Sequence, residues 1–150
     1  MIVSRIELKW TDVIDPGRVE RFLDIVVDGA SLYERFWNKG LGNIALIGAF
    51  PSEDEEDKYV ARLLGDLPPD SWAKQCCIYV CRGCGDINCG AITVKVEKRG
   101  DTVVWSGFAF EYPNYQDDKY EYEPIEPAMS YSIEARHLRE VLLGRPRRLV

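Results

Sequence analysis

The feature that most constrains the fold is the alternation of side-chain character around residues 99 to 101. Apolar residues occupy every second position from Ile92 to Val96, and polar residues lie between them. Arg99-Gly100-Asp101 then supplies a turn, and residues 102 to 111 return as a second strand-forming run. A period of two is typical of a strand with one buried face, so these runs predict an antiparallel hairpin.

The rest of the chain predicts more short strands and about three helices. Strands are indicated at residues 2 to 10, 23 to 27, 44 to 50, 78 to 81 and 120 to 122. Ser31 and Ser52 begin capping boxes, and Ser132 precedes an amphipathic run that ends at Gly144, so each serine is expected to start a helix. We therefore expect one domain, residues 1–150, of the α+β class: a mainly antiparallel sheet with about three short helices packed on it.

Composition and charge limit the classes of partner. The chain has 150 residues, of which 46% are hydrophobic and 29% charged, as in globular proteins. Acidic residues number 25 and basic residues 19, which gives a net charge of −6 and a pI near 4.9. Nucleic acids and acidic membranes attract a positive field, so we expect neither as a partner.

The first residues and the cysteines indicate a compartment. Charges at Arg5, Glu7 and Lys9 interrupt the N-terminal segment, which is therefore not expected to be a signal peptide. The longest apolar run, residues 44 to 50, is far shorter than the roughly 20 residues of a membrane-spanning helix. Five clustered cysteines are an odd number and suit a reducing compartment better than a disulfide framework. We expect a cytoplasmic protein.

Three of the cysteines form a candidate metal site. Cys81 and Cys84 have the spacing of a zinc knuckle followed by glycine, and Cys89 lies five residues further on. Tetrahedral zinc needs a fourth ligand, for which the candidates are Cys76, Cys77, Asp86 and His137. Two other interpretations stay open: thiols packed into a tight turn, and a thiol-based oxidoreductase that uses Cys81 and Cys84. The cofactor is therefore expected to be either none or a structural Zn²⁺.

The same region carries a family resemblance. The run from Tyr79 to Val96, which reads YVCRGCGDINCGAITVKV, resembles the central signature of an uncharacterised family of small bacterial proteins. The sequence Val103-Val104-Trp105 that follows is also similar, as are residues 21 to 32 and the last helical segment. Members of that family more often have proline or an acid at the positions of Arg82 and Gly83. The resemblance implies no particular activity.

Signatures of catalysis are missing from the sequence. His137 is the single histidine and falls on the predicted last helix, where a structural role is expected. Gly40-Leu41-Gly42 lacks the rest of a dinucleotide-binding fingerprint, and the chain has no P-loop. We therefore expect a protein that is not an enzyme.

Residues 111 to 126, here named the acidic–tyrosine segment, are the candidate docking surface. Tyrosine offers rigid contact area with a polar tip, and carboxylates attract a basic partner over a distance. The expected contact residues are Glu111, Tyr112, Tyr115, Asp117, Asp118, Tyr120, Glu121 and Tyr122. The sequence thus predicts a protein-binding module, of which an immunity protein that neutralises a basic toxin is one example by analogy of class.

Overall fold

Antiparallel strand pairing dominates the described part of the chain. The computed structural model describes residues 2–15, 18–37, 44–45, 47, 52–80 and 90–146. In chain order the elements are β1 (Ile6–Asp15), β2 (Arg18–Val27), β3 (Ala30–Ser31), α1 (Leu32–Trp37), β4 (Ile44–Ala45), α2 (Glu53–Leu63), β5 (Cys76–Val80), β6 (Ala91–Arg99), β7 (Thr102–Asn114), β8 (Lys119–Pro124), β9 (Tyr131–Glu134) and α3 (Ala135–Leu143). The expected α+β class is confirmed. None of the described helices is long and apolar enough to cross a membrane.

The smaller sheet consists of β1, β2 and β3. β1 and β2 pair along their whole length, from Ile6 opposite Val27 to Asp15 opposite Arg18. The first strand begins later than its alternation predicts, because Ser4 leaves this sheet and forms an isolated bridge with Ile133. That bridge ties the N-terminal end of the smaller sheet to the larger one.

The larger sheet has the strand order β4-β5-β6-β7-β8, and β9 also pairs with β7. Its centre is the predicted hairpin, which is confirmed with Arg99 opposite Thr102 across the turn. β7 is 13 residues long and pairs with β9 along its first residues and with β8 along its last. β8 and β9 therefore share one edge of β7.

Two of the three predicted helix starts are confirmed. The Ser31 Oγ accepts the Glu34 N–H at 3.1 Å, and the Ser52 Oγ accepts the Glu55 N–H at 3.2 Å. The prediction that Ser132 caps the last helix is wrong. Ser132 lies in β9, where its carbonyl accepts the Ser4 N–H at 2.7 Å, and α3 begins only at Ala135. The residues that the local pattern predicts as a helix cap instead pair with β7 as a strand.

The core joins both sheets and the helices. Trp105 is fully buried, and its Nε1–H donates to the Leu63 carbonyl at the end of α2 at 3.0 Å. The Leu23 N–H donates to the carbonyl of the buried Ile47 at 2.7 Å, which links β2 to the segment after β4. Of the strand predicted at residues 44 to 50, only Ile44 and Ala45 are strand, and several of the others lie outside the described residues.

Candidate docking surface

The pairing of β8 with β7 fixes which backbone groups of β8 face outwards. The Ile125 N–H donates to the Phe108 carbonyl at an N···O distance of 2.9 Å. In an antiparallel ladder, hydrogen-bonded pairs alternate with non-bonded pairs. The register therefore points the backbone groups of Glu121 towards β7 and those of Tyr120 and Tyr122 away from it.

Side chains alternate along β8 in the same way, and this separates its tyrosines from its acids. Tyr120 and Tyr122 lie opposite Pro113 and Glu111 on one face of the hairpin. Their neighbours on β8 are Lys119, Glu121 and Glu123, and these three point to the other face. The acidic–tyrosine segment therefore forms two separate surfaces in the structure, one on each face of the hairpin.

The first surface is an aromatic patch formed by Trp72, Tyr120 and Tyr122. The Trp72 ring stacks on the Tyr120 ring with centroids 6.3 Å apart and 22° between the ring planes. Trp72 is 59% exposed and Tyr122 is 40% exposed. Sequence analysis missed Trp72 because it lies far from the acidic–tyrosine segment, in the loop before β5. A tryptophan isolated in a polar loop after Pro68-Pro69 was the available signal.

The second surface, the acidic face, carries Glu121 and Glu123 beside Tyr112. The Tyr112 hydroxyl donates to Glu123 Oε1 at 2.8 Å, and this bond raises the pKa of the tyrosine. The Asn114 Nδ2 donates to Glu121 Oε1 at 3.0 Å, which lowers the pKa of Glu121. Both carboxylates are thus held in place by hydrogen bonds on an accessible surface.

The tip of the hairpin is ordered by Asn114. Its Oδ1 accepts the backbone N–H groups of Gln116 at 3.1 Å and Asp117 at 3.2 Å, so the side chain closes the turn on itself. Tyr115 is 82% exposed at this tip, and Asp117 and Asp118 are exposed beside it. Three predicted contact residues therefore project from a fixed turn.

Glu111 is not part of either surface, and its assignment to the docking surface is wrong. Its side chain is fully buried and accepts three hydrogen bonds. The donors are the Ser71 hydroxyl at 2.8 Å, the Ala73 N–H at 2.9 Å and the Thr93 hydroxyl at 2.5 Å. A buried carboxylate is stable only with such partners, and here they attach the loop that carries Trp72 to the sheet. Glu111 therefore fixes, from the protein interior, the loop that carries Trp72 of the aromatic patch.

The candidate metal ligands are only partly described. Cys81, Cys84, Cys89 and Asp86 lie outside the described residues. Within the parts of the chain that the structure describes, no group of three or more histidine, cysteine or acidic residues could hold a metal ion. The zinc site and the thiol chemistry at Cys81 and Cys84 both stay predictions.

The described candidates for the fourth ligand have other roles. Cys76 and Cys77 are buried in β5, and burial raises both thiol pKa values, that of Cys76 to about 12. The His137 Nε2 accepts the Ile6 N–H at 3.0 Å, so this nitrogen joins α3 to β1.

A polar groove of about 640 Å³ lies between β1 and α1. Its floor includes Asp24, which accepts bonds from the Ser31 hydroxyl at 2.5 Å and the Tyr79 hydroxyl at 2.8 Å. Burial raises the pKa of Asp24, while these hydrogen bonds act in the opposite direction. Both carboxylate oxygens are already used inside the protein, which makes Asp24 a link between β2, β3 and β5.

Comparisons of the chain with protein-family models, curated proteins and solved structures give no match. The functional conclusion therefore depends on the geometry of the site itself.

Proposed function

We propose that the protein is a non-enzymatic cytoplasmic protein-binding module that docks through the β7–β8 hairpin and the Trp72 loop. The observation that supports this most is the exposed aromatic patch on one face of the hairpin, with the acidic face on the other. Exposed aromatic side chains on rigid elements are characteristic of the centres of protein interfaces. Two hydrogen bonds to the buried Glu111 carboxylate hold the loop that presents Trp72.

The acidic face determines the class of partner. Glu121 and Glu123 lie on the face of the hairpin opposite the patch, and Asp117 and Asp118 lie at its tip. The chain as a whole carries a net charge of −6. Complementary charge accelerates encounter and selects partners of opposite sign. The partner is therefore a basic protein, and neutralisation of a basic toxin, as by an immunity protein, is the specific case that we propose.

Two matched variants test this proposal. Trp72→Ala with Tyr122→Ala removes the aromatic patch, and Glu121→Gln with Glu123→Gln neutralises the acidic face. The immobilised wild type retains the partner, which is then purified for affinity measurement. The aromatic variant is expected to weaken binding by more than about tenfold, since central aromatic residues dominate interface energies. The acidic variant is expected to slow association and reduce the dependence of binding on salt.

The control variant removes equivalent groups from the smaller sheet. Trp10→Ala with Glu7→Gln deletes a tryptophan that is 38% exposed and an exposed carboxylate, at a distance from the hairpin in sequence and in sheet. Its affinity for the partner is expected to match that of the wild type. Equal binding by all four proteins, with no dependence on salt, would contradict the proposal.

A further inference from the structure

We propose that the outer edge of β8 binds an extended basic segment of the partner protein as an added strand. This inference rests on the proposed function, because it gives the mode by which the same surface is used. Strand addition obtains affinity from backbone hydrogen bonds and specificity from alternating side chains. Both requirements are met by the geometry of β8.

The backbone requirement is met by alternate residues of the strand. The N–H and carbonyl groups of Tyr120 and Tyr122 point away from β7, as the Ile125–Phe108 hydrogen bond and the register establish. Among the described strands, β8 pairs with β7 alone. These outward groups form a short ladder that a second strand can complete.

The side chains give the ladder its selectivity. An added strand places its residues opposite those of β8, with Cβ atoms about 4.5–5.5 Å apart on each face. One set of its side chains then meets Glu121 and Glu123, and the other set meets Tyr120, Tyr122 and, next to them, Trp72. The segment that fits has lysine or arginine at every second position and apolar residues between them.

The same charges discourage other strands. An exposed edge that is flat and apolar pairs indiscriminately, and proteins protect such edges with charged residues, proline and short length. β8 is six residues long, carries Lys119, Glu121 and Glu123, and ends at Pro124. Opposite charge on an incoming strand removes this barrier, whereas acidic or neutral strands gain nothing from it.

The hairpin is also rigid enough to serve as a template. The Asn114 side chain forms hydrogen bonds to the turn backbone and to the Glu121 carboxylate. The hydrogen bond between Tyr112 and Glu123 connects the two strands on the acidic face. The edge therefore needs little ordering when it accepts a strand. Preorganisation of this kind lowers the entropic cost of binding.

The test uses synthetic peptides in which lysine alternates with valine, titrated into the full chain labelled with ¹⁵N. The alternating peptide is expected to shift the amide resonances of Tyr120 and Tyr122, and to bind about tenfold more tightly than a peptide of the same composition with its lysines grouped. Equal binding of the two peptides would overturn the proposal, as would shifts confined to other regions. Dimerisation of the chain through β8 in place of peptide binding would also overturn it.

N-methylation separates backbone pairing from simple charge attraction. In an extended peptide, the amides of the lysines and those of the valines point to opposite sides. Antiparallel addition predicts that methylated valine amides weaken binding about tenfold while methylated lysine amides do not, and parallel addition predicts the reverse. Equal effects of the two modifications would overturn strand addition.

A pair of protein variants examines the same edge. Tyr122→Ala removes the ring alone, whereas Tyr122→Pro also removes an N–H that β7 does not use. Strand addition predicts that the proline variant binds the alternating peptide more weakly than the alanine variant, and equal binding by the two would contradict it. If the natural partner still depends on the aromatic patch and acidic face while the methylation pattern is absent, the proposed function stands and only this inference fails.

Discussion

At the scale of single residues, Asp24 and Asp28 show how burial and hydrogen bonding compete to set the pKa of a carboxyl group. Asp24 is buried, and burial raises its pKa despite bonds from Ser31 and Tyr79. Asp28 is exposed, and its pKa is lowered, first by the backbone N–H of Arg5. Asp24 lies within β2 and Asp28 in the turn that follows it, and their contributions to stability depend on pH in opposite directions.

Asp24→Asn is expected to change how stability depends on pH. The folded pKa of Asp24 lies above its ordinary value of 3.8, so the native state binds the proton more tightly than the unfolded state. The contribution of the protonated form is complete below about pH 4 and is lost as pH rises through the folded pKa. The wild type should therefore gain stability relative to the Asn variant as pH falls from 7 towards 4, measured by urea unfolding.

The Asp28→Asn variant provides the control. The lowered pKa of Asp28 gives stability that is present above about pH 4 and lost as pH falls through the folded pKa. The difference between this variant and the wild type should shrink at the acidic end, opposite to the trend for Asp24. Parallel pH profiles for the two variants would show that burial does not control Asp24.

At the scale of elements, the hydrogen bonds to Glu111 connect the Trp72 loop to β6 and β7. Glu111→Gln replaces an acceptor of three hydrogen bonds with an amide that carries two donors of its own. We expect a loss of about 1–3 kcal/mol in the free energy of unfolding, since buried donors lose their partner. Amide exchange at Ala73 should also become faster, which reports release of the loop.

Glu123→Gln is the matched control for this change. Glu123 is exposed and accepts the Tyr112 hydroxyl on the acidic face. Its replacement should alter stability by less than about 0.5 kcal/mol and leave exchange at Ala73 unchanged. Slow exchange at Ala73 in the Glu111 variant would mean that other contacts hold the loop.

The elements that the sequence predicted well are those decided by neighbours in the chain. The β6–β7 hairpin depends on a turn and on alternation beside it, and Ser31 and Ser52 cap helices through amides three residues ahead. Ser132 also precedes an amphipathic run, but its backbone pairs with Ser4 and β7, and both are remote in sequence. Long-range pairing overrides a local preference there.

In the candidate site, too, features set by neighbouring residues were predictable and features set by distant residues were not. The exposure of Tyr115, Asp117 and Asp118 follows from a polar turn. Glu111 could not be assigned to the interior from its sequence neighbours, because its partners Ser71 and Thr93 come from other parts of the chain. The stacking of Trp72 on Tyr120 is likewise a contact between distant segments.

At the scale of the whole molecule, Arg145 fastens the segment after α3 to α2. Its side chain is buried and its Nε donates to Glu56 Oε1 at 2.6 Å, while a second nitrogen donates to Asp57 Oδ1 at 2.6 Å. The same guanidinium donates to the Leu142 carbonyl at 2.8 Å. The acidic residues Glu56 and Asp57 of α2, rather than the acidic–tyrosine segment, are therefore the internal partners of this arginine.

Arg145→Ala is expected to destabilise the protein by about 3–5 kcal/mol, because it breaks a buried ion pair with Glu56. The midpoint of guanidinium chloride unfolding measures the loss. Arg136→Ala removes an exposed arginine paired with Glu140 on α3 and should cost less than about 1 kcal/mol. Similar losses for both variants would contradict a structural role for the buried pair.

The two faces of β8 have a consequence for how this protein can diverge. Neighbouring codons of the strand specify side chains that never share a surface, because Tyr122 lies between two glutamates that point the other way. Evolution can therefore replace the glutamates of β8 and keep its tyrosines, or the reverse, without rearranging the protein interior. Mutations can therefore change the binding preference of one face at a time while the fold stays the same.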